Sequence, residues 1–136
     1  MSILYVLIAA LAAFINGFLW HGPLFGKTWM RLANVTPTGN EKMSDMYGQM
    51  LWNYLSLVVT AFIMQGIFVY VFTSPLMGGI NAWEGAIVAV WLWLGFIVTS
   101  SSVEVIWMGR SWKLWLFECA SSLTSFILMG GILGFK

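Results

Sequence analysis

Four stretches of this chain are each long, apolar and almost free of charge, and that pattern leaves few folds open. They run from about 3 to 20, 51 to 72, 82 to 108 and 112 to 134. A helix rises 1.5 Å per residue, so about 20 apolar residues cross a hydrocarbon layer roughly 30 Å thick. Lipid offers no partner to a free backbone N–H or C=O, so a spanning segment must be a helix or part of a closed barrel. The alternating pattern of barrel strands is absent, which leaves helices. Only 8% of the residues are charged, against about 25% in soluble domains. The expected fold is all-α: a polytopic membrane protein, residues 1–136 forming a single domain of four transmembrane helices. Met1 and Ser2 lead straight into Ile3 with no Lys or Arg before the apolar run. That run is therefore read as the first span and not as a cleaved signal.

The connection between the first two spans is the longest polar segment. His21-Gly22-Pro23 ends the first span, and residues 23–32 read as a short amphipathic helix. Phe25, Trp29 and Leu32 fall on one face, and Lys27 and Arg31 on another. Pro23 suits a first helical turn, and the two faces fit a helix lying in the membrane interface. Thr38-Gly39-Asn40-Glu41 has capping-box spacing. Met43, Met46, Tyr47, Met50 and Leu51 then keep helical spacing into the second span. Pro75 and Gly78-Gly79 mark a tight connection. Asn81, with Glu84 three residues on, caps the third span, and Gly109-Arg110-Ser111 turns into the fourth.

Lys27, Arg31, Lys42, Arg110 and Lys113 all lie in the first and third connections, and only Lys136 lies at the other side. The positive-inside rule puts residues 21–50 and 109–111 in the cytoplasm and both termini outside. Trp20, Trp29, Trp52, Trp107 and Trp112 then sit near the cytoplasmic interface and Trp83 at the outer one. Trp91, Trp93 and Trp115 lie deeper, as packing residues. Ala9, Ala13 and Gly17 recur every fourth residue, as do Gly130 and Gly134. Such stripes let helices approach closely, within one chain or between copies in a homo-oligomer.

Polar groups inside spans usually face the bundle interior. Asn16, Asn53, Glu104 and Glu118 place one such group on each helix in the cytoplasmic half. Gln65 is the main exception in the drier outer half. The third and fourth spans form a hairpin about Arg110. Ser100, Ser101 and Glu104 share one face of it, and Glu118, Ser121, Ser122 and Ser125 share a face of the other helix. If these faces meet, two carboxylates share a low-dielectric seam, and one is protonated or cations compensate. Arg110, Lys113 and His21 are the candidate charge partners. Two readings follow: a proton or cation site at Glu104 and Glu118, or structural glutamates linked to Arg110 or Lys113.

His21 is the single histidine, so no multi-histidine metal site can form within one chain, and no spacing motif places it with the glutamates as metal ligands. No nucleophile–base arrangement or phosphate-binding loop is present, no cofactor is implied, and enzymatic activity is not expected. Cys119 is the single cysteine and reads as a small buried hydrophobe. A net charge of +1 provides no basic surface for nucleic acid. The lipid bilayer is the expected partner, and the sequence names no small-molecule ligand.

The run Asn16-Gly17-Phe18-Leu19-Trp20-His21-Gly22-Pro23-Leu24-Phe25-Gly26-Lys27-Thr28-Trp29-Met30 resembles the N-terminal signature of the "domain of unknown function 1761" family of small membrane proteins. Residues 104–131, with Gly109-Arg110-Ser111 and Met129-Gly130-Gly131, are similar to that family's final hairpin. The resemblance implies a four-helix membrane fold and no established activity. It gives weight to Trp20, Pro23, Gly26, Lys27 and Trp29. Position 21, commonly Tyr in that pattern, is His here. The motif is either an interfacial helix that locks the end of the bundle or a gate over the polar layer. The leading expectation is a structural or accessory membrane protein. The alternative is a small transporter or channel-like protein handling a proton, a cation or a small amphipathic solute.

Overall fold

Apolar runs of this length fold as helices because every backbone group can then be satisfied within its own segment. The computed structural model describes residues 2–36, 39–40, 42–72 and 79–135. Among them the elements are α1 (Ile3–His21), α2 (Gly26–Ala33), a 3-10 turn (Met43–Met46) leading into α3 (Tyr47–Phe72), α4 (Ala82–Leu92), a π turn (Trp93–Val98), α5 (Thr99–Met108) and α6 (Trp112–Gly134). No strand occurs among these residues. Helix α4, the π turn and α5 form one continuous third span, Ala82–Met108. Four helices are long and apolar enough to cross a membrane.

Local chemistry sets the ends. Pro23 disfavours helical geometry at the residue before it, and Gly22 sits outside the helical region at φ −129°, ψ −105°. Helix α1 stops there, and α2 starts at Gly26, three residues later than the spacing predicts for a Pro23-initiated helix. Asn81 caps α4: its side chain accepts from the N–H groups of Trp83 and Glu84 at 2.9 and 3.0 Å, and Glu84 accepts from the Asn81 N–H. Ser111 caps α6 through the Lys113 N–H. Gly109 ends α5 in the left-handed region at φ 67°, which glycine adopts at low cost. Thr38 and Glu41 of the expected capping box, Pro75 and Gly78 of the expected tight connection, and Lys136 lie outside the described residues.

The spans pack as an open row rather than a closed ring. Helices α1 and α6 form the centre, α3 packs on α1, and α4 packs on α6. Helix α3 scarcely touches α6 and makes almost no contact with the third span. The core gathers Val6, Ala9, Ala10 and Ala13 of α1, Ala61, Met64 and Phe68 of α3, Ala89 of α4, and Met129 and Leu133 of α6. It lies away from the end that carries α2.

The tightest contact is between α4 and α6. A Cβ built on Gly85 would strike the Gly130 carbonyl oxygen, one on Gly130 would strike the Gly85 carbonyl and the Ala89 methyl, and one on Gly134 would meet the Asn81 carbonyl. The glycine stripe of α6 thus packs within the chain, with backbone touching backbone. At the α2 end the helices diverge, and the π turn marks the change. The hydroxyls of Thr99, Ser100, Ser101 and Ser102 donate back to the carbonyls of Gly95, Phe96, Val98 and Thr99. A π turn disturbs the regular ladder of backbone bonds, and these hydroxyls bond to carbonyls in and next to it. Trp93 and Trp115 pack inward as their depth implies, but Trp91 is 68% exposed.

Candidate functional site

The site begins with a chain reversal. After α1 the backbone turns through residues 22–25, tied by Leu24 N–H to the Leu19 carbonyl and Gly26 N–H to the Gly22 carbonyl. Gly26 is buried, and a Cβ there would press on the His21 carbonyl. The reversal lays α2 back across the first turns of α6. Trp20 and Phe25 pack at a tilt with centroids 4.8 Å apart, and Phe117 meets both edge to face at 5.5 and 6.3 Å. They fix the corner where α1, α2 and α6 meet. Lys27 and Arg31 point outward and are exposed.

Glu118 projects from α6 into this corner. The Trp29 indole N–H donates to Glu118 Oε1 at 2.9 Å. His21 Nε2 lies 3.0 Å from Oε2 and 3.1 Å from Oε1. His21 Nδ1 lies 2.8 Å from the Gly17 carbonyl oxygen. A carbonyl can only accept, so Nδ1 carries a hydrogen. A bare imidazole nitrogen facing a bare carboxylate would set lone pair against lone pair, so one proton also lies between Nε2 and Glu118. Whether it sits on nitrogen or oxygen, the pair is neutral as a whole. Trp29 and Phe117 place ring edges or faces against the imidazole at 5.3 and 5.6 Å. The side chains stay 31% and 43% exposed, so the pair is held but reachable.

Both side chains line a cavity of about 430 Å³ between α1, α3 and α6. Its polar wall comes from His21, Glu118, Asn53, Ser121, Ser122 and Ser125, and its apolar wall from residues such as Phe14, Phe18 and Met50. Asn16 holds the wall together. Its amide donates toward the Ser121 carbonyl, Thr124 Oγ1 and Ser125 Oγ at 3.2, 2.8 and 2.9 Å. Trp93, at the start of the π turn, donates to the Cys119 carbonyl and to Ser122 Oγ at 3.1 and 2.9 Å. The polar face of α6 is therefore divided. Ser121 and Ser125 turn to α1, Ser122 turns to the third span, and Glu118 turns to α1 and α2.

Glu104 is placed otherwise. It accepts from Arg110 at 2.7 Å, with the two side chains 48% and 55% exposed. Both N–H groups at the turn, of Gly109 and Arg110, also reach the Glu104 carbonyl. Glu104 and Glu118 both line a second cavity of about 200 Å³, together with Ser101 and Trp115, but each carboxylate has its own partner and they share no hydrogen bond among the described residues. Ser101 accepts from the Trp115 indole at 3.0 Å. Lys113 forms no ion pair among the described residues. Nor do any three His, Cys, Asp or Glu side chains gather there as a set of metal ligands. Gln65 is buried, and its Oε1 has no hydrogen-bond partner among the described residues.

Several features of the site were not marked by the sequence pattern. Trp29 reads there as part of an interfacial face, yet its indole N–H holds Glu118. Trp93 and Trp115 read as packing residues, and both donate to polar groups. The one hint of the π turn is the run Thr99-Ser100-Ser101-Ser102, since adjacent hydroxyls compete for helix carbonyls.

Neither a curated protein nor a solved structure matches the chain. A family model described as "Protein of unknown function (DUF1761)" matches residues 4–134, and the chain belongs to that family.

Proposed function

We propose that this member of the DUF1761 family is a multi-pass membrane protein that binds a small amphipathic molecule beside His21 and Glu118. The observation that carries the reading is a reachable His–Glu pair, 3.0 Å apart, on the wall of a cavity of about 430 Å³ between helices. Ligand cavities commonly hold roughly 300–1,000 Å³, with apolar walls and a few convergent polar groups. An ionisable group inside a membrane bundle is by default a candidate functional site. The proton between His21 and Glu118 makes the pair neutral, so the site suits an uncharged or hydrogen-bonding head better than a free cation. Helix α2 serves as a fixed cap, because Trp29 ties it to Glu118.

In this reading the α2 end faces the cytoplasm, in keeping with the Lys and Arg residues of the first and third connections. Thermal unfolding in detergent with a panel of short-chain alcohols, amines and carboxylates tests the reading. A ligand that binds the folded state raises its stability. The expected result is stabilisation of the natural chain by a member of the panel, lost in Glu118→Leu and His21→Leu. No stabilisation by any of the panel, or equal stabilisation of both variants, would contradict it.

A structural role is the second reading. It is favoured by one observation: Glu104 and Glu118 each already have a partner from this chain. Under it, both variants would lose stability and no compound would bind.

A further inference from the structure

The cavity at His21 and Glu118 does not end among the polar residues. Thr60 and Phe126 line it, and both also line a second space of about 400 Å³ that extends away from the α2 end. The walls of this second space are Val59, Ile63, Met64 and Ile67 of α3 on one side and Leu92 and Phe96 of the third span on the other. Apart from Thr60 they carry no polar side chain. Met64 is a buried floor, whereas Val59, Ile63 and Phe96 form an exposed rim. The two spaces are one groove with a waist at Thr60. It lies where the row of helices is open, between α3 and the third span, which make almost no contact.

The groove has a polarity gradient along the helices. One end carries His21, Glu118 and Asn53, and the other is hydrocarbon. From Met50 to Ile67 its α3 wall is about 25 Å long at 1.5 Å per residue, close to the roughly 30 Å hydrocarbon thickness. A second helix from a partner would leave the polar end with cavities to hydrate. A free ion would gain nothing from the apolar end, and the neutral His–Glu pair offers no net charge to attract it. A molecule with a small polar head and one long chain satisfies both ends at once. The head must both donate and accept, since Glu118, Asn53 and the serine hydroxyls include groups of each kind.

We propose that the groove binds a single-chain amphiphile with an uncharged, hydroxyl-bearing head. Its head lies at His21 and Glu118, and its chain runs past Thr60 between α3 and the third span. This rests on the cavity reading above and adds the chain site, the head chemistry and entry sideways from the bilayer. Because the rim is exposed along its length, the chain can slide in from lipid without crossing the α2 cap.

The test uses the full chain in phosphatidylcholine vesicles and a monoacylglycerol carrying a diazirine near the end of its chain. Labelled residues are mapped by peptide mass spectrometry. The expected result is label concentrated on Ile63, Ile67 and Leu92, reduced about ten-fold or more by Thr60→Trp at the waist and by Glu118→Leu at the head, and retained in Thr60→Ser. Circular dichroism and gel filtration check that each variant folds. If Thr60→Trp does not, Ile67→Trp takes its place at the far end of the groove. A matching carboxylate-headed probe is expected to label these positions weakly.

Label that falls in Glu118→Leu but is centred on Phe14 and Met50, indifferent to Thr60→Trp, would overturn the groove and leave the cavity reading standing. Even labelling of all outward faces, indifferent to both variants, would overturn both. Absence of lipid adducts, together with disulfide cross-linking between two copies of Ile63→Cys or Phe96→Cys, would show that a second chain covers the groove, and would also overturn the proposal.

Discussion

The two ends of the row of helices are held together by opposite means. At one end α4 and α6 touch backbone to backbone through Gly85, Gly130 and Gly134. At the other the helices stand apart around cavities and are joined by side chains: His21, Trp29 and Glu118 in one corner, Asn16 with the hydroxyls of α6 in the next. In lipid there is no hydrophobic drive to bring helices together, so close packing and hydrogen bonds must do so. Close packing leaves no space and suits an anchor. A hydrogen-bonded end can enclose a cavity, because its contacts reach across gaps.

The difference can be broken most severely at the closed end. Gly130→Leu has no room beside the Gly85 carbonyl and the Ala89 methyl. Its expected cost exceeds the 1–3 kcal/mol or so usual for overpacking, since backbone cannot give way as a side chain can. Loss of monodisperse protein on gel filtration would show it, and a variant that purifies like the natural chain would refute the seam.

At the open end the effects are smaller and graded. Glu118→Leu leaves His21 Nε2 and the Trp29 N–H without a partner, an expected loss of about 1–3 kcal/mol in unfolding from mixed micelles. Asn16→Leu removes the tie between α1 and α6. Interhelical hydrogen bonds of this kind contribute about 1–2 kcal/mol in model peptides and less in whole proteins, so a loss near 1 kcal/mol is expected in the same assay. Glu104→Gln breaks an ion pair that is half exposed and six residues apart. Such pairs contribute about 0–1 kcal/mol, and a value near zero is expected here. A loss larger than that of Glu118→Leu would reverse the ranking of the two glutamates. Gly17→Ala is the counterpart of Gly130→Leu. A Cβ at Gly17 meets nothing within 4 Å, so the change is expected to be neutral or slightly stabilising by helix propensity.

The sequence made the helices legible and left their partners hidden. Hydropathy marks the spans because membrane thickness sets a length that a linear pattern can show. Asn81 and Ser111 announce their caps because capping is local, spanning two or three residues. The Gly130 and Gly134 stripe shows as spacing, but Gly85 opposite them does not, as a single glycine carries no period. Asn16, His21, Asn53 and Glu118 lie around the end that carries α2. Their pairings depend on which helices touch. His21 and Glu118 are 97 residues apart, and Asn16 and Thr124 are 108 apart. Glu104 finds Arg110 because the turn at Gly109 carries Arg110 back over it, while Glu118 finds His21 because α1 packs on α6, and finds Trp29 because the turn at Pro23 sends α2 across α6. The openness of the row follows from α3 packing mainly on α1, which no spacing within α3 encodes.

His21 is the only histidine in the chain, so selective isotope labelling reports on the site without a mutation. Solid-state NMR of the chain in phosphatidylcholine bilayers, with the histidine ring and the glutamate carboxyls labelled, tests the central claim most directly. The account predicts a protonated Nδ1, a through-space correlation from Nε2 to one glutamate carboxyl that vanishes in Glu118→Gln, and a shift of the Nε2 resonance when monoacylglycerol is added. An imidazole that averages freely between tautomers, shows no carboxyl correlation and ignores the amphiphile would contradict it.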